Sequence, residues 1–406
     1  MLVILRANQK GAVGSRKSKW RIGLMKKLII LVSLIALLAG GMAFGQVTVS
    51  GQIEYGVLSD FSNAPGQHWD NILAFNAKID EFNTGLIRIR ARQSLSANGG
   101  IPIQTANYAG VMASDAPLID RFLVTTNVLP AIGVKDAPFK WTSVNGVNWF
   151  QTLETTKGVS PYAVSRVSRI AAGNSLLGTH NRFAFGDALT LGFAILPSDW
   201  SGDAISPNNK GGFFFEANST QKVGDGTLDI EVNYGTFGRD VDKRVALGTA
   251  ELTGGVRYLT KMNDINLGLA ANFLKEMDSD EAVGYKYGAA VSFGLPAFTV
   301  KAGLMGQEES ELRLAEAQLL LPLNKVFTVE VGATMGLDSD VYDDFLNEID
   351  ANLQIKAGKN LIRVGYLMVS DKNGAGSLIN DELSRIGRKT SYVEKGGAYF
   401  EVSIPF

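Results

Sequence analysis

The feature that most constrains the fold is an alternation of apolar and polar residues with a period of two. The last segment shows it most clearly, because every second residue there is apolar: Phe400, Val402, Ile404 and Phe406. The same alternation recurs in 226–236, 264–275, 326–337 and 347–357. Successive strand residues point to opposite faces of a sheet. Each segment is therefore predicted to be a strand with one apolar face and one polar or glycine-rich face.

Eighteen segments of the chain fit this description. They are 46–58, 70–80, 84–95, 119–128, 131–137, 179–186, 189–197, 211–220, 226–236, 247–259, 264–275, 283–294, 297–306, 312–321, 326–337, 347–357, 360–370 and 396–406. The fifth is the weakest, because it is short and lies between Pro130 and Pro138. Most have the length of about ten residues that a tilted strand needs to cross a membrane.

The connections between these segments alternate between short turns and long loops. An up-and-down barrel has its turns on one rim and its loops on the other. An even strand count also places both chain ends on the turn rim. We therefore predict an all-β fold, a transmembrane up-and-down antiparallel β-barrel of about 18 strands, with 16 and 20 strands left open.

Composition excludes several classes of protein. The chain has no cysteine, so it holds no disulfide, thiol nucleophile or iron–sulfur cluster, and its two histidines cannot build a histidine-rich metal site. Residues 1–45 carry eight basic and no acidic residues, which leaves 31 basic against 40 acidic residues in the remainder. That balance argues against nucleic acid as a partner. We expect no metal and no cofactor, since no phosphate-binding loop or metal motif is present.

The amino-terminal segment has the three parts of a secretory signal peptide. Met25-Lys26-Lys27 begins a positive region, Leu28–Ala39 is apolar except for Ser33, and Ala43-Phe44-Gly45 provides a cleavage site. The apolar run of 12 residues is short for a membrane helix. We therefore expect a signal peptide at 25–45, a misassigned upstream extension at 1–24, and one barrel domain at 46–406.

Together these features resemble those of Gram-negative outer-membrane β-barrels. The aromatic residues beside the short turns are placed as in a membrane-interface girdle: Tyr258, Phe293, Phe298, Phe327 and Phe406. The resemblance implies that the last strand, with Phe400 and terminal Phe406, is the signal read by the barrel-assembly machinery. It also implies an outer-membrane location with periplasmic N- and C-termini, in contact with outer-membrane lipid. A spirochaete-type outer-membrane protein is the looser alternative.

Three arginines form a column on the polar face of the third strand. Arg88, Arg90 and Arg92 alternate with Ile87, Ile89 and Ala91, and residues two apart on a strand stand about 7 Å apart. An arginine facing lipid costs about 2–4 kcal/mol at the membrane midplane, so the column is predicted to face the lumen. There it either sets the ion preference of a pore or pairs with inward acids such as Glu54 or Glu251 and holds the wall together.

The longest connection, 138–178, is the third external loop. It carries the aromatic residues Trp141, Trp149, Phe150 and Tyr162, the basic residues Arg166 and Arg169, and a single acid, Glu154. Exposed aromatics in a loose loop would be unfavourable, which favours folding of the loop into the barrel. The resemblance to porins implies the same position, as a constriction. The alternative is another hairpin within 146–170, which would raise the count to twenty.

The resemblance implies a porin-like channel for passive diffusion of small polar or anionic solutes. Constriction residues would be Arg88, Arg90, Arg92, Arg166, Arg169 and Glu154. The first alternative is a surface-exposed adhesin or antigen on a plugged barrel. The second is a barrel hydrolase, which would need His68 and His180 to meet across the barrel mouth; we disfavour it, so no enzymatic activity is expected. Trimerisation is common among porin-like proteins, and a homotrimer is left open.

Overall fold

The structure is a computed structural model of the chain. It describes residues 47–59, 61, 66–95, 118–148, 158–161, 176–198, 210–237, 249–276, 285–307, 312–337, 346–369 and 396–406. The strands are β1 (Val47–Ser59), β2 (Gly66–Lys78), β3 (Asn83–Leu95), β4 (Leu118–Asn127), β5 (Lys140–Asn148), β6 (Leu176–Phe185), β7 (Leu189–Ser198), β8 (Lys210–Val223), β9 (Gly226–Phe237), β10 (Thr249–Met262), β11 (Ile265–Glu276), β12 (Tyr285–Leu295), β13 (Phe298–Gln307), β14 (Leu312–Pro322), β15 (Phe327–Gly336), β16 (Leu346–Ala357), β17 (Asn360–Val369) and β18 (Gly396–Pro405). The one short helix among these residues is α1 (Val128–Ala131). Over the described ranges, no helical segment is long and apolar enough to cross a membrane.

The strands form a closed 18-stranded ring, as the alternation predicted. Each strand pairs with its neighbour in the chain, and β1 pairs antiparallel with β18 to complete the circle. At this seam Gln52 stands opposite Pro405, and Gly51 and Phe406 exchange two backbone hydrogen bonds of 3.0 Å. The start of β1 and the end of β18 therefore lie on the same rim as the tight turns.

The two faces of the barrel wall have opposite chemistry. In β15, Thr328, Glu330 and Thr334 are buried, whereas Phe327 and Val331 are exposed on the outside. Large apolar side chains are likewise exposed along most of the other strands. A water-soluble protein would bury this apolar surface. Exposed apolar residues outside and buried polar residues inside are the arrangement of a barrel surrounded by lipid.

The aromatic residues predicted beside the turn rim lie on the outer face. Tyr258 donates a hydrogen bond from its hydroxyl to the carbonyl oxygen of Val223 at 3.2 Å, next to the turn between β8 and β9. The rings of Phe293 and Phe298 flank the turn between β12 and β13, 6.2 Å apart. This end of the barrel carries the outward aromatic residues typical of a membrane interface.

The prediction for the fifth strand is wrong. Residues 131–137 contain the end of α1 and an irregular stretch, and β5 lies further along at Lys140–Asn148. Pro130 sits inside α1, and the extended pairing resumes only after Pro138. As a consequence, the long loop does not begin at 138: its first part is strand, and only 149–175 separates β5 from β6.

The strict alternation of short and long connections is also wrong at two places. The connection between β4 and β5, on the turn rim, runs over 128–139 and contains α1. On the loop rim, only residues 308–311 separate β13 from β14. The strand count does not change, because each of these connections still joins two neighbouring antiparallel strands.

Candidate functional site

The arginine column lies on the inner face of β3. Arg88 and Arg90 are half-buried there and stand opposite Ala74 and Ile72 of β2. Arg92 has the same backbone orientation, and its Cα stands opposite that of Asp70 in the strand register. The Arg92 side chain lies outside the described part of the structure. The outward partners of the column are Ile87 and Ile89, as the alternation predicted. This part of β3 therefore presents guanidinium groups to the lumen rather than to lipid.

Buried acids line other parts of the inner wall. The described carboxylates that are almost fully buried are Glu216, Asp229, Glu231, Glu316, Glu330, Glu348, Asp350 and Glu401. Since an unpaired buried charge is strongly unfavourable, each needs a hydrogen-bond or charge partner. These acids lie on β8, β9, β14, β15, β16 and β18, so none of the eight is on β3 or on its two neighbours β2 and β4.

Arginines from neighbouring strands neutralise several of these acids. The guanidinium of Arg257 contacts Asp229 with its Nη2 at 2.7 Å from Oδ2, and Arg363 contacts Glu401 with its Nη1 at 3.1 Å from Oε2. Neutral donors serve others: Tyr399 donates to Asp350 at 2.7 Å, and the amides of Gln318 and Gln354 donate to Glu330. These acids therefore stabilise the wall and contribute less charge to the lumen than their number suggests.

Glu216 is the centre of the most compact of these clusters. The Nε of Arg182 lies 2.6 Å from its Oε1, and the Nε2 of His180 lies 3.4 Å from the same oxygen. Gly192, on the adjacent strand, leaves the space that the carboxylate fills, because a Cβ there would stand 2.5 Å from Oε1. His180 also lies edge-on against Phe214. The histidine considered for a hydrolase is thus held on the inner wall by Glu216.

Part of the long loop lies inside the barrel. Val159 is fully buried, and its Cγ2 stands 3.0 Å from the position that a Cβ would occupy on Gly268. Gly268 belongs to β11 and shares the inner face with Ala270 and Asn272, which are buried. In a ring of 18 strands, β11 stands halfway round from β2. The inserted segment therefore contacts the wall opposite the arginine column.

The other loop residues fall into two groups. Trp141 is on β5 and faces outwards, with its ring stacked on Phe183 at 5.6 Å. The prediction that Trp141 folds into the lumen is therefore wrong. The predicted constriction residues Glu154, Arg166 and Arg169 lie outside the described residues, as do Trp149, Phe150 and Tyr162.

Of the predicted assembly signal, Phe400 and Phe406 both project from the outer face of the seam strand, where they are exposed.

The paired inner charges were missed by the sequence reasoning. Arg182, Glu216, Asp229, Arg257 and Glu401 all occupy polar positions of the alternating pattern. That pattern could have identified them as inward-facing, but not as pairs, because pairing depends on the register of neighbouring strands. Within the described ranges, no three His, Asp or Glu side chains are arranged to hold a metal ion.

Comparison with known proteins supports the fold alone. No protein-family model matches the chain, and no curated protein matches its sequence. Solved structures do match: Acinetobacter baumannii OccAB4 aligns at 11% identity and a TM-score of 0.54, covering 89% of this chain and 97% of that one. Pseudomonas aeruginosa OccK2 (OpdF) aligns at 11% identity and a TM-score of 0.53, with the same coverage. The protein is thus a closed 18-stranded β-barrel with the fold of OccAB4 and OccK2.

Proposed function

We propose that this protein is a channel for the passive diffusion of small polar or anionic solutes across an outer membrane. The observation that carries the proposal is a closed ring of 18 strands with a polar inner face and an inserted loop segment at Val159. Barrels of 16–18 strands are wide enough to leave an aqueous channel. The insertion narrows such a lumen from one side, which leaves the path along the opposite wall.

The proposed preference for anions rests on how the buried acids of the inner wall differ from the arginines of β3. The acids that line other strands of the inner wall are buried, and several are neutralised by arginine. Arg88 and Arg90 are only half-buried and lie on the wall across from the inserted segment. Charges that line a water-filled lumen attract ions of opposite sign and repel those of like sign. A solute that passes between the inserted segment and the arginines of β3 therefore meets a positive surface.

The orientation that we propose places the turn rim, with both chain ends, on the periplasmic side. It follows from delivery of the chain through the inner membrane after removal of a signal peptide at 25–45. The barrel-assembly machinery and outer-membrane lipid are then its partners, and the loop rim faces the outside. We propose no enzymatic activity, no cofactor and no nucleic-acid partner.

A permeability assay tests the proposal. The purified protein is placed in lipid vesicles, and the entry of an anion and a cation of matched size is compared. We expect both to enter, the anion several-fold faster, and we expect the preference to fall in the Arg88→Gln, Arg90→Gln double variant. Arg313→Gln removes the same kind of charge from an exposed position at the loop end of β14 and serves as the control. Equal entry of both ions into wild-type vesicles would contradict the charge argument.

The second candidate is a surface-exposed adhesin or antigen on a plugged barrel. One observation favours it: Phe214, Leu314 and Leu367 lie on the inner face, near the loop rim, and are almost fully buried. Large apolar side chains facing an open aqueous lumen would be exposed, so this part of the wall is covered. If vesicles that contain folded protein admit no solute, the lumen is closed over its whole width, and the adhesin on a plugged barrel becomes the better explanation.

A further inference from the structure

Four buried polar side chains form a compact group on the inner face of β8 and β9. In the register of these strands, Glu216 stands opposite Asn233, and Asn218 stands opposite Glu231. We call these four residues the inner oxygen block. From its geometry and chemistry we infer that the block binds a divalent cation of the calcium type. The inference goes beyond the proposed function, because it concerns the barrel wall and does not depend on whether the lumen conducts.

Antiparallel pairing brings the four head groups of the block into one small space. Residues directly opposite each other have Cβ atoms about 4.5–5.5 Å apart, and residues two apart on a strand stand about 7 Å apart. The block residues alternate with outward residues such as Phe215 and Val232, which are exposed. Asn218 is 6% exposed, and the other three block residues are 4% exposed or less. Their polar atoms are therefore shielded from bulk solvent.

Several buried atoms of the block have no hydrogen-bond partner among the described residues. They are the Oε2 of Glu216, the Oδ1 of Asn233, and both Oδ1 and Nδ2 of Asn218. Arg182 contacts only the other carboxylate oxygen of Glu216, and Asn233 uses its amide nitrogen to donate to the hydroxyl of Thr253 at 3.3 Å. Buried polar atoms are nearly always satisfied in native proteins. The unpartnered atoms of the block therefore point to a ligand between them.

The atoms that lack a partner favour a hard cation as this ligand. Three of the four are oxygens, one from a carboxylate and two from amides, and calcium takes carboxylate and amide oxygens as ligands. The charges described in this part of the wall have the matching sign. Two guanidinium groups, those of Arg182 and Arg257, face three carboxylates, those of Glu216, Asp229 and Glu231. An anion would meet the carboxylates and find a single amide group as its donor.

The number of acceptors separates a cation from a buried water molecule. Buried waters commonly satisfy such atoms and make about three hydrogen bonds. A water molecule donates only two hydrogen bonds, so it leaves one of the three oxygens unpaired, whereas a cation contacts all three. The sequence alone gives no sign of this site, because its ligands come from two strands and half of them are amides.

Calcium titration of the folded protein tests the inference. The purified chain is treated with a chelator and placed in nanodiscs of zwitterionic lipid, and calcium binding is measured by isothermal titration calorimetry against empty nanodiscs. We expect one calcium ion per chain, bound at least tenfold more weakly by Asn218→Leu, which keeps the size of the side chain and removes its oxygen. Asn352→Leu is the matched control, because Asn352 is a buried asparagine on the inner face of β16. It should bind calcium as the wild type does.

A second variant changes the affinity in the opposite direction. Asn218→Asp replaces an amide oxygen by a carboxylate of nearly the same shape, and we expect it to bind calcium at least threefold more tightly than the wild type. The heat-dependent gel mobility of a folded barrel confirms that each variant is folded.

Three results would overturn the inference. A wild type that takes up no calcium would mean that the unpartnered atoms are satisfied by buried water. Binding that is unchanged in Asn218→Leu, or that falls equally in Asn352→Leu, would place the ion elsewhere. Binding by Asn218→Asp that is no tighter than in the wild type would show that residue 218 is not a ligand.

Discussion

At the scale of single residues, Asp80 shows how one side chain fixes a turn. The backbone N–H groups of Phe82 and Asn83 both donate to its Oδ1 at 2.8 Å, and the Asn83 amide donates to both carboxylate oxygens. Asn83 in turn accepts a hydrogen bond from Thr126 of β4 at 2.7 Å. The turn between β2 and β3 is thereby tied to the next strand. Hydrogen bonds from the Asn83 side chain, and then from the Phe82 backbone, lower the pKa of Asp80.

The lowered pKa of Asp80 leads to a prediction about pH. Because the folded-state pKa is below the unfolded one, the carboxylate stabilises the turn fully above the unfolded pKa of about 3.9. That contribution is lost as pH falls through the folded pKa. We expect Asp80 to titrate below an ordinary aspartate when its carboxyl carbon is followed by NMR in micelles. In Asn83→Ala its pKa should rise towards the ordinary value. An unchanged pKa in that variant would show that the amide contact is not the main cause.

Glu216 depends on the absence of a side chain at Gly192. A Cβ at Gly192 would stand within 3 Å of three atoms of the Glu216 side chain. We expect Gly192→Val to displace the carboxylate from Arg182 and His180 and to reduce the free energy of unfolding by about 1–3 kcal/mol. Urea unfolding in lipid vesicles measures this. Gly294→Val, on β12, is the control, because a Cβ there meets no atom closer than 3.3 Å and the residue does not have a positive φ.

Single residues were predictable where their face alone decides their role. Arg88 and Arg90 could be placed in the lumen because Ile87 and Ile89 had to face lipid. The partnership of Glu216 with Arg182 could not be predicted, because those residues lie 34 positions apart and meet only through the registers of β6, β7 and β8. Alternation gives the face of a residue, whereas its partners depend on neighbouring strands.

At the scale of elements, β5 shows where the alternation signal fails. Its outward residues include Trp141, Ser143 and Asn145, so the strand has no continuous apolar face to detect. The apolar stretch that suggested a strand instead, 131–137, lies between two prolines and follows the helix α1. The polar outward residues Ser143 and Asn145 are therefore the physical reason that the fifth strand was misplaced. The other strands have a clear apolar face and were located to within a few residues.

The seam between β1 and β18 depends on a ring packed over a glycine. A Cβ on Gly51 would stand 2.5 Å from the Cζ of Phe406 and 2.3 Å from the carbonyl oxygen of Ile72. The terminal ring therefore occupies the space that Gly51 leaves open. Such aromatic cover over a cross-strand glycine stabilises pairing. Phe406 thus has a structural role beside the assembly signal that the resemblance implies.

This role can be separated from assembly in vesicles that contain lipid alone. We expect Phe406→Ala to reduce the free energy of unfolding by about 1 kcal/mol more than Phe400→Ala does. Phe400 is the control because it is also an exposed phenylalanine on the outer face of β18 but stands opposite Val57. Urea unfolding without assembly machinery makes the comparison. Equal losses for the two variants would leave Phe406 without a special part in the seam.

At the scale of the whole molecule, the period and number of the strands were enough to predict a closed barrel. The width of the free lumen was not predictable. It depends on the inserted segment, and a sequence does not say which wall Val159 will contact. The structure places that contact on β11, across from the arginines of β3. We therefore propose a lumen that the inserted segment narrows from one side and that Arg88 and Arg90 line with positive charge on the other.

Single-channel recording in planar bilayers tests this central claim most directly. Wild-type protein is compared with the combined Arg88→Ala, Arg90→Ala and Arg92→Ala variant, with the reversal potential measured under a salt gradient. We predict stable open steps with a preference for anions in the wild type, and steps without that preference in the variant. Open steps with unchanged selectivity in the variant would mean that the arginines stabilise the barrel wall and do not set the ion preference. The absence of conductance steps from a correctly folded barrel would contradict the proposal that the protein is a channel.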